Sequence, residues 1–368
     1  MLDPLSLSID LTPAIPSSGV ILPTRRLLRR SLDHPDDYIM ELDYSSASKV
    51  IECARAAENY LIHSREAATD SSATSFGKLF HSCEELRLRN GWSEAVKQRQ
   101  HELVAQHFIT HQVAAGDYRN SSQMLLVLQK YNAMYSTPDA LQRDDWPNKT
   151  HPLIDDAGLP YPFVERSFKV PLCTIPVHDT IKYFPTSLII DCDPILSLND
   201  SFYARNIHVF FTGRIDAVIS DSNLTWVVDH KTSSRGGREF EEAFRLSLQT
   251  RGYTWAAQKL LGIPVAGLIM NAVVIRPPTK IGTNIELHRR PYFYSPDSLD
   301  EFEDSMKHIV SNFASMLVSG YFPQCGRSFK SPCAGCSYQE NCSLPRTQRH
   351  ADLSSDLFRD VTWNPVTE

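Results

Sequence analysis

Residues 213–232, G-R-I-D-A-V-I-S-D-S-N-L-T-W-V-V-D-H-K-T, read as two strands joined by a turn. Runs rich in Val and Ile flank Ser220-Asp221-Ser222-Asn223, whose residue types suit a tight hairpin loop. Side chains alternate along a strand, so Asp229 and Lys231 point to one face and His230 to the other. An even-numbered loop about Asp221-Ser222 sets Asp216 opposite Val227 and on the face of Asp229. The two carboxylates are then diagonal neighbours, roughly 7–8 Å apart at the backbone and within reach of a shared cation. An odd-numbered loop would separate them onto opposite faces.

Around this hairpin, strand-like runs are expected at 162–171, 207–219, 223–231, 265–276 and 285–294. One long helix, at about 239–261, interrupts them, and a second, at about 296–319, closes the β-rich part. Upstream, a helix capped by Ser46 or Ser48 carries Cys53 and runs to about Ser64, followed by helical segments at about 75–88, 93–113 and 120–136. Helices on both sides of a run of strands predict an α/β sandwich around a central mixed sheet. Residues 1–44 are Pro- and Ser-rich and predict an irregular arm. Its run RRLLRR holds Arg25, Arg26, Arg29 and Arg30, a phosphate-contacting patch or, the preferred reading, a solvated helical turn.

The chain has 368 residues, 42% hydrophobic and 22% charged, the balance of a globular protein that can bury a core as one large domain with insertions or as two domains. The apolar stretch 265–275 is interrupted by Asn271 and is too short to cross a bilayer, so no membrane partner is expected. Residues 1–18 carry Asp3 and Asp10 and do not read as a signal peptide, which predicts a reducing cytoplasm, of a bacterial cell or a phage-infected host. Clustered thiols there are more often metal ligands than disulfides. The net charge of −6 argues against a surface coated for unspecific nucleic-acid binding, although local phosphate contacts stay open.

Two carboxylates beside a lysine have a chemical use. Mg²⁺ prefers one or two carboxylates plus water and substrate oxygens, and such an ion polarises phosphate oxygens and generates hydroxide for phosphodiester hydrolysis. Lys231 could orient the attacking water or stabilise charge developing on phosphate. A D-x-K taken alone equally describes a surface hairpin with an ion pair. The cysteines also have two readings, because four thiolates suffice for Zn²⁺ or for an iron–sulfur cluster. By spacing alone, Cys325, Cys333, Cys336 and Cys342 make a local zinc knuckle, and Cys83, Cys173 and Cys192 are plain thiols.

The run G-R-I-D…W-V-V-D-H-K-T-S resembles the core signature of the RecB-like branch of the PD-(D/E)XK nucleases. Three further marks of that family stand in order. They are a helical histidine, His81 in G-K-L-F-H; a Q-x-x-x-Y, Gln249 and Tyr253 in Q-T-R-G-Y; and a first-helix cysteine, Cys53, paired with C-x2-C-x5-C at Cys333, Cys336 and Cys342. The last mark is similar to the nuclease domains of AddB-type helicase–nucleases, to CRISPR-adaptation nucleases and to phage nucleases.

The resemblance spans roughly residues 45–345 and implies a restriction-endonuclease-like fold. A helical insertion is expected at about 90–160, a cysteine-rich segment at 325–342 and a C-terminal tail at 346–368. By resemblance, His81, Asp216, Asp229, the backbone carbonyl of His230 and, as an optional member, Glu165 ligate Mg²⁺ or Mn²⁺. Lys231 completes the catalytic set, and Gln249 and Tyr253 address the site or the DNA backbone. Glu165 equally reads as an exposed residue of an edge strand. Cys53, Cys333, Cys336 and Cys342 would hold a [4Fe–4S] cluster, with Cys325 as an alternative ligand.

Basic residues Arg327, Lys330, Arg346 and Arg349 around that motif suggest a DNA-facing clasp or, equally, a solvated tail. The implied activity is metal-dependent hydrolysis of DNA, on ends or single strands, in recombination, repair or phage DNA processing. No helicase P-loop occurs, so unwinding would need a helicase or processing partner. Two competing readings are a DNA-binding or assembly module without turnover, against which the set His81, Asp216, Asp229 and Lys231 speaks, and a zinc-stabilised interaction protein, which leaves Cys53 and Q-x-x-x-Y unexplained.

Overall fold

The structure, a computed structural model, describes residues 27–68, 72–111, 113–135, 146–154, 157–181, 189–190, 202–221, 223–279, 282–326, 333 and 335–361. Strands β1 (Leu28–Arg30) and β2 (Asp37–Leu42) come first, then α1 (Tyr44–Glu52), α2 (Ala54–Ala57), a π-helical turn over Glu58–Ile62 and β3 (Arg65–Ala67). Helices α3 (Ser72–Asn90), α4 (Glu94–Thr110), α5 (Ser121–Tyr135) and the single turn α6 (Trp146–Lys149) follow. Next come β4 (Pro152–Ile154), β5 (Pro160–Pro162), β6 (Val164–Ile181), β7 (Ile189–Ile190), β8 (Phe202–Asp221) and β9 (Leu224–Ser233). The chain continues through α7 (Arg238–Arg245), α8 (Leu248–Leu261), β10 (Gly267–Thr279), β11 (Gly282–Phe293) and α9 (Pro296–Ser319). It ends in α10 (Gln339–Ser343), α11 (Arg346–Leu353) and β12 (Phe358–Asp360).

A mixed sheet runs in the order β11-β10-β9-β8-β2-β1-β7, with β6 also paired to β8. Alternation on β10 sorts its two faces. Leu268, Met270 and Ala272 join a core with Trp255 of α8 and Phe302 of α9, whereas Val273 and Ile275 join Phe80 of α3 and Val127 of α5. This is the expected α/β architecture, a central mixed sheet covered by helices on both faces.

The middle of β8 is a fork. Strand β6 lies antiparallel to it from Phe202 to Ala217, which occupies one edge. The other edge is shared: β2 pairs in parallel with Asn206–Phe211 and β9 antiparallel with Ala217–Asp221. Between Phe211 and Ala217 that edge passes from one partner to the other, and Asp216 sits where the second ladder begins.

Several expectations are corrected. The stretch read as an irregular arm supplies β1 and β2; Leu27 and Leu28 of RRLLRR are buried, and Arg29 pairs with Glu41 at 2.7 Å, so this run is strand rather than helical turn. Arg25 and Arg26 lie outside the described residues. The first helix is capped by Asp43, which accepts from Ser46 N at 3.0 Å, and it ends before Cys53, whose backbone is extended (φ −162, ψ 113). The helix expected at 239–261 is two, because Ser247 takes an extended conformation and its Oγ accepts from Gln249 N, starting α8 afresh.

The hairpin loop is even, but it lies one residue further on, between Asp221 and Leu224. Val218 therefore faces Val227, and Asp216, one step beyond the last pair Ala217–Val228, comes level with Asp229 rather than Val227. Asn223 takes a positive φ of 63, which a two-residue turn favours and Asn tolerates.

Helix α8 lies unusually close to the sheet at Gly252, where an added Cβ would come within 2.8 Å of the rings of Phe211 and Phe302. Gly252→Ala is expected to lower stability by about 1–3 kcal/mol through overpacking, measured by denaturant unfolding. Equal stability would show that the aromatic layer yields freely.

Candidate active site

Three elements converge on the fork. Helix α3 approaches β9 through Gly77, whose Cβ position lies 3.0 Å from the Thr232 hydroxyl, and His81 follows one turn later on the same face. Its Nδ1 lies 3.4 Å from Asp216 Oδ2 and 3.8 Å from Glu165 Oε1. Glu165 interrupts the β6–β8 ladder between Val164–Ala217 and Arg166–Ile215, with φ at +48. A non-glycine residue held there carries backbone strain, a feature that clusters at functional sites. Arg214 Nε meets Glu165 Oε2 at 3.0 Å. Glu165 is thus a largely buried member of the fork rather than an exposed edge residue.

The ligand atoms of His81, Glu165 and Asp216 lie within 4.8 Å of one another. Asp229 stands beside this trio rather than in it. Its carboxylate is held by Lys231 Nζ at 3.0 and 3.1 Å and by Gln249 Nε2 at 3.4 Å. Tyr253, one turn along α8, shares a hydrogen bond with Gln249. The backbone N–H of His230 donates to Asp216 Oδ2 at 2.6 Å, so a carboxylate takes the place of a ladder partner where the strands part.

The electrostatics follow from crowded, buried carboxylates. Burial, then the charge of Asp216, pushes Glu165 up. Asp229 is likewise raised, by burial against the opposing pull of Lys231. Asp216 goes the other way, because the charge and hydrogen bond of His81 outweigh its burial and hold it below the carboxylate range. Burial alone would depress His81, but Asp216 and Glu165 bring it up to about 10. His230 is pushed down to about 4, mainly by burial. Burial and then the charge of Asp229 raise Tyr253.

Three carboxylates and an imidazole at a buried fork are an oxygen-rich donor set with one nitrogen that fits a divalent cation, and such a cation would relieve the repulsion that raises Glu165 and Asp229.

A profile of the PD-(D/E)XK nuclease superfamily matches residues 42–343. The chain belongs to this superfamily. It is a nuclease by family, a phosphodiester hydrolase, and PD-(D/E)XK nucleases use divalent metals. Two solved structures are similar in part. The crystal structure of a "Putative exonuclease" from Eubacterium rectale shares 10% identity, covering 83% of this chain and 94% of that one at a TM-score of 0.39. The crystal structure of SSO0001 shares 10% identity, covering 82% and 86% at a TM-score of 0.29. A search of curated proteins finds no match. Among the described residues, no helix is long and apolar enough to cross a membrane.

The cysteines gather at a second place in this PD-(D/E)XK chain. Cys325 Sγ lies 3.5 Å from Cys333 Sγ, and the free thiols of Cys325 and Cys53 share a hydrogen bond. The charges of Cys53 and Cys336 act on Cys342. Burial, then Cys333 and Cys53, push Cys325 up to about 12. Burial would raise Cys53 as well, but donors from Ala56, Cys325 and Arg55 outweigh it and lower the thiol. Cys83 is buried in the α3 core and raised to about 12 by burial, Cys173 is half-buried, and Cys192 lies outside the described residues.

The C-terminal segment is also knitted to the first helices by other contacts. Strand β12 pairs antiparallel with β3, Tyr338 Oη donates to Arg65 O at 2.5 Å, and Val361 N donates to Ser64 O at 2.8 Å. Arg349 spends its guanidinium on Leu344 O and Cys342 O, which replaces the solvated-tail and DNA-clasp readings for that residue with a structural one. Arg327 and Lys330 lie outside the described residues.

Sequence reasoning missed two groups. Arg214 was visible inside G-R-I-D but carried no role. The buried network of Glu84, Arg87, Tyr131, Asn271 and Arg289 left one signal, a polar Asn271 in an otherwise apolar strand.

Proposed function

We propose that this chain is a DNA nuclease that cleaves phosphodiester bonds with Mg²⁺ or Mn²⁺ at the fork, acting on DNA ends or single strands. The observation that carries the reading is the meeting of His81, Glu165 and Asp216 within 4.8 Å beside the Asp229–Lys231 pair. His81, Asp216 and Glu165, with Asp229 and the backbone carbonyl of His230, would hold the metal. When bound, the ion supplies Lewis-acid activation of phosphate and of water.

The protein's own side chains divide the remaining work. Lys231, a quarter exposed, faces the solvent side from which a phosphate arrives and offers a cation for charge developing there. Gln249 holds Asp229 and is itself held by Tyr253, a pair that fixes the second acid from the far side of the sheet. Helix α3 brings the imidazole over the acids, and burial of the carboxylates excludes water from all but the open side.

At the second place, Cys53, Cys333, Cys336 and Cys342 are assigned to a [4Fe–4S] cluster, with Cys325 as the alternative ligand and Zn²⁺ as the rival metal. The contact of Cys53 with Cys325, which in turn lies 3.5 Å from Cys333, supports a site that recruits Cys53 rather than a purely local knuckle. A helicase or recombination partner would supply unwinding, and the cell interior is the assigned location.

The deciding experiment is cleavage of end-labelled linear, single-stranded and covalently closed DNA with Mg²⁺, Mn²⁺ and EDTA. Loss of label from linear and single-stranded DNA that EDTA abolishes is expected, with closed circles spared. Turnover unaffected by EDTA would overturn the metal assignment, and no cleavage of any substrate with either metal would overturn the nuclease reading.

A further inference from the structure

Behind the fork, on the α3–α5 face of the sheet, lies a buried polar cluster whose side chains the chemistry above does not use. Asn271 of β10 is level with His230 of β9 on one side and with Arg289 of β11 on the other. Asn271 and His230 are each 1% exposed. Buried polar groups are costly unless satisfied, and this one interrupts an otherwise apolar strand.

Arg289 fixes which way the amide of Asn271 faces. Arg289 Nε lies 3.3 Å from Asn271 Oδ1, and its guanidinium is clamped between the rings of Tyr135 and Trp146, at 3.6 and 3.5 Å from their centroids. A guanidinium has donors and no acceptor, so the amide oxygen must face it. The amide nitrogen therefore faces the other way, 2.7 Å from Tyr131 Oη and 2.7 Å from His230 Nδ1. A flipped amide would set its N–H groups against the guanidinium. His230 Nδ1 then accepts, and the ring proton resides on Nε2, a buried atom that has no hydrogen-bond partner among the described residues.

We propose that Asn271 is a positioning residue: oriented by Arg289, it fixes the ring of His230 in the Nε2–H tautomer and thereby sets the His230 backbone that holds Asp216. The link is the His230 N–H donated to Asp216 Oδ2 at 2.6 Å. A ring held by that hydrogen bond and by its packing restrains, through its side-chain torsions, the Cα and the peptide N–H that Asp216 accepts from. The inference rests on the reading of Asp216 as a metal ligand. Groups one step behind metal ligands typically cost 10–100-fold in affinity or activity when lost.

The first test uses the unaltered, metal-free protein. Long-range ¹⁵N–¹H correlation should show His230 protonated at Nε2 with an acceptor Nδ1, and a proton on Nδ1 would overturn the proposal. In Asn271→Asp, which offers no donor, the ring is expected to change tautomer, Mn²⁺ alone to bind about 10–100-fold more weakly, and kcat to fall in step with KM for DNA little changed. Arg289→Met, which frees the amide to turn while keeping bulk between the two rings, should show a smaller shift in the same direction. Either variant binding Mn²⁺ with wild-type affinity would overturn the proposal. If Asn271→Asp does not fold, the wild-type tautomer and Arg289→Met decide it. Asp216→Ala separates the two readings: undiminished Mn²⁺ binding there refutes the metal site itself, whatever tautomer His230 shows.

Discussion

Asp229→Ala is expected to lower DNA cleavage with Mg²⁺ or Mn²⁺ by at least roughly 10²–10³-fold, the scale lost with one electrostatic stabiliser of a reacting centre, while melting no lower than the wild type. The first half follows from removing an acid one step from the His81–Glu165–Asp216 trio. The second half follows from what that acid costs the fold. Burial and the neighbouring Asp216 charge raise Asp229, so its ionised form is disfavoured in the folded chain. Metal-free stability contributed at this position is therefore lost as pH rises through its range, and the alanine variant lacks that loss. Lys231, left without its partner, is a quarter exposed and can be hydrated.

Lys231→Ala should lose cleavage comparably. Asp216→Ala should also lose activity but melt lower, because it leaves the buried His230 N–H without an acceptor, a cost of about 1–3 kcal/mol. The measurement is turnover beside thermal melting for each variant. Retained cleavage by folded Asp229→Ala would remove the fork as the active site.

Cys53→Ser is expected to remove iron and lower stability by about 3–5 kcal/mol, on the scale of a cross-link that closes a loop of hundreds of residues. Anaerobically purified wild type should be brown, with iron and acid-labile sulfide. Cys325→Ser should keep both, since the proposed cluster uses Cys53, Cys333, Cys336 and Cys342. Zinc retained in Cys53→Ser and lost in Cys325→Ser would overturn the cluster and install the local knuckle. The contacts of β12 with β3 and of Tyr338 with Arg65 tie the same two segments in the folded chain without metal.

Much of the site was legible because it rests on short-range spacing. Asp229 and Lys231 share a strand face by alternation, and Gln249 and Tyr253 share a helix face by the i, i+4 repeat; both relations hold in the folded chain. The register of the hairpin was less legible. Loop parity could be argued from composition, but which two residues turn depends on strand packing, and the ladder lies two residues away in its pairing sum. Glu165 was ambiguous for a similar reason, because nothing in V-E-R-S announces a residue at φ +48 level with Asp216 across the strands.

The sequence by itself determined the element types of the core, the acid, lysine and histidine residues that belong together in order, and the family they resemble. Local periodicity and fixed spacing carry that information. Only the tertiary structure decided that the supposed arm completes the sheet, that β8 changes partner next to Asp216, that Asp229 stands on Lys231 beside the trio, and that Asn271 braces His230 from behind. These relations join residues far apart in the chain. They are set by which strand wins each edge and which buried polar group finds a partner, a competition among long-range contacts that no local pattern encodes.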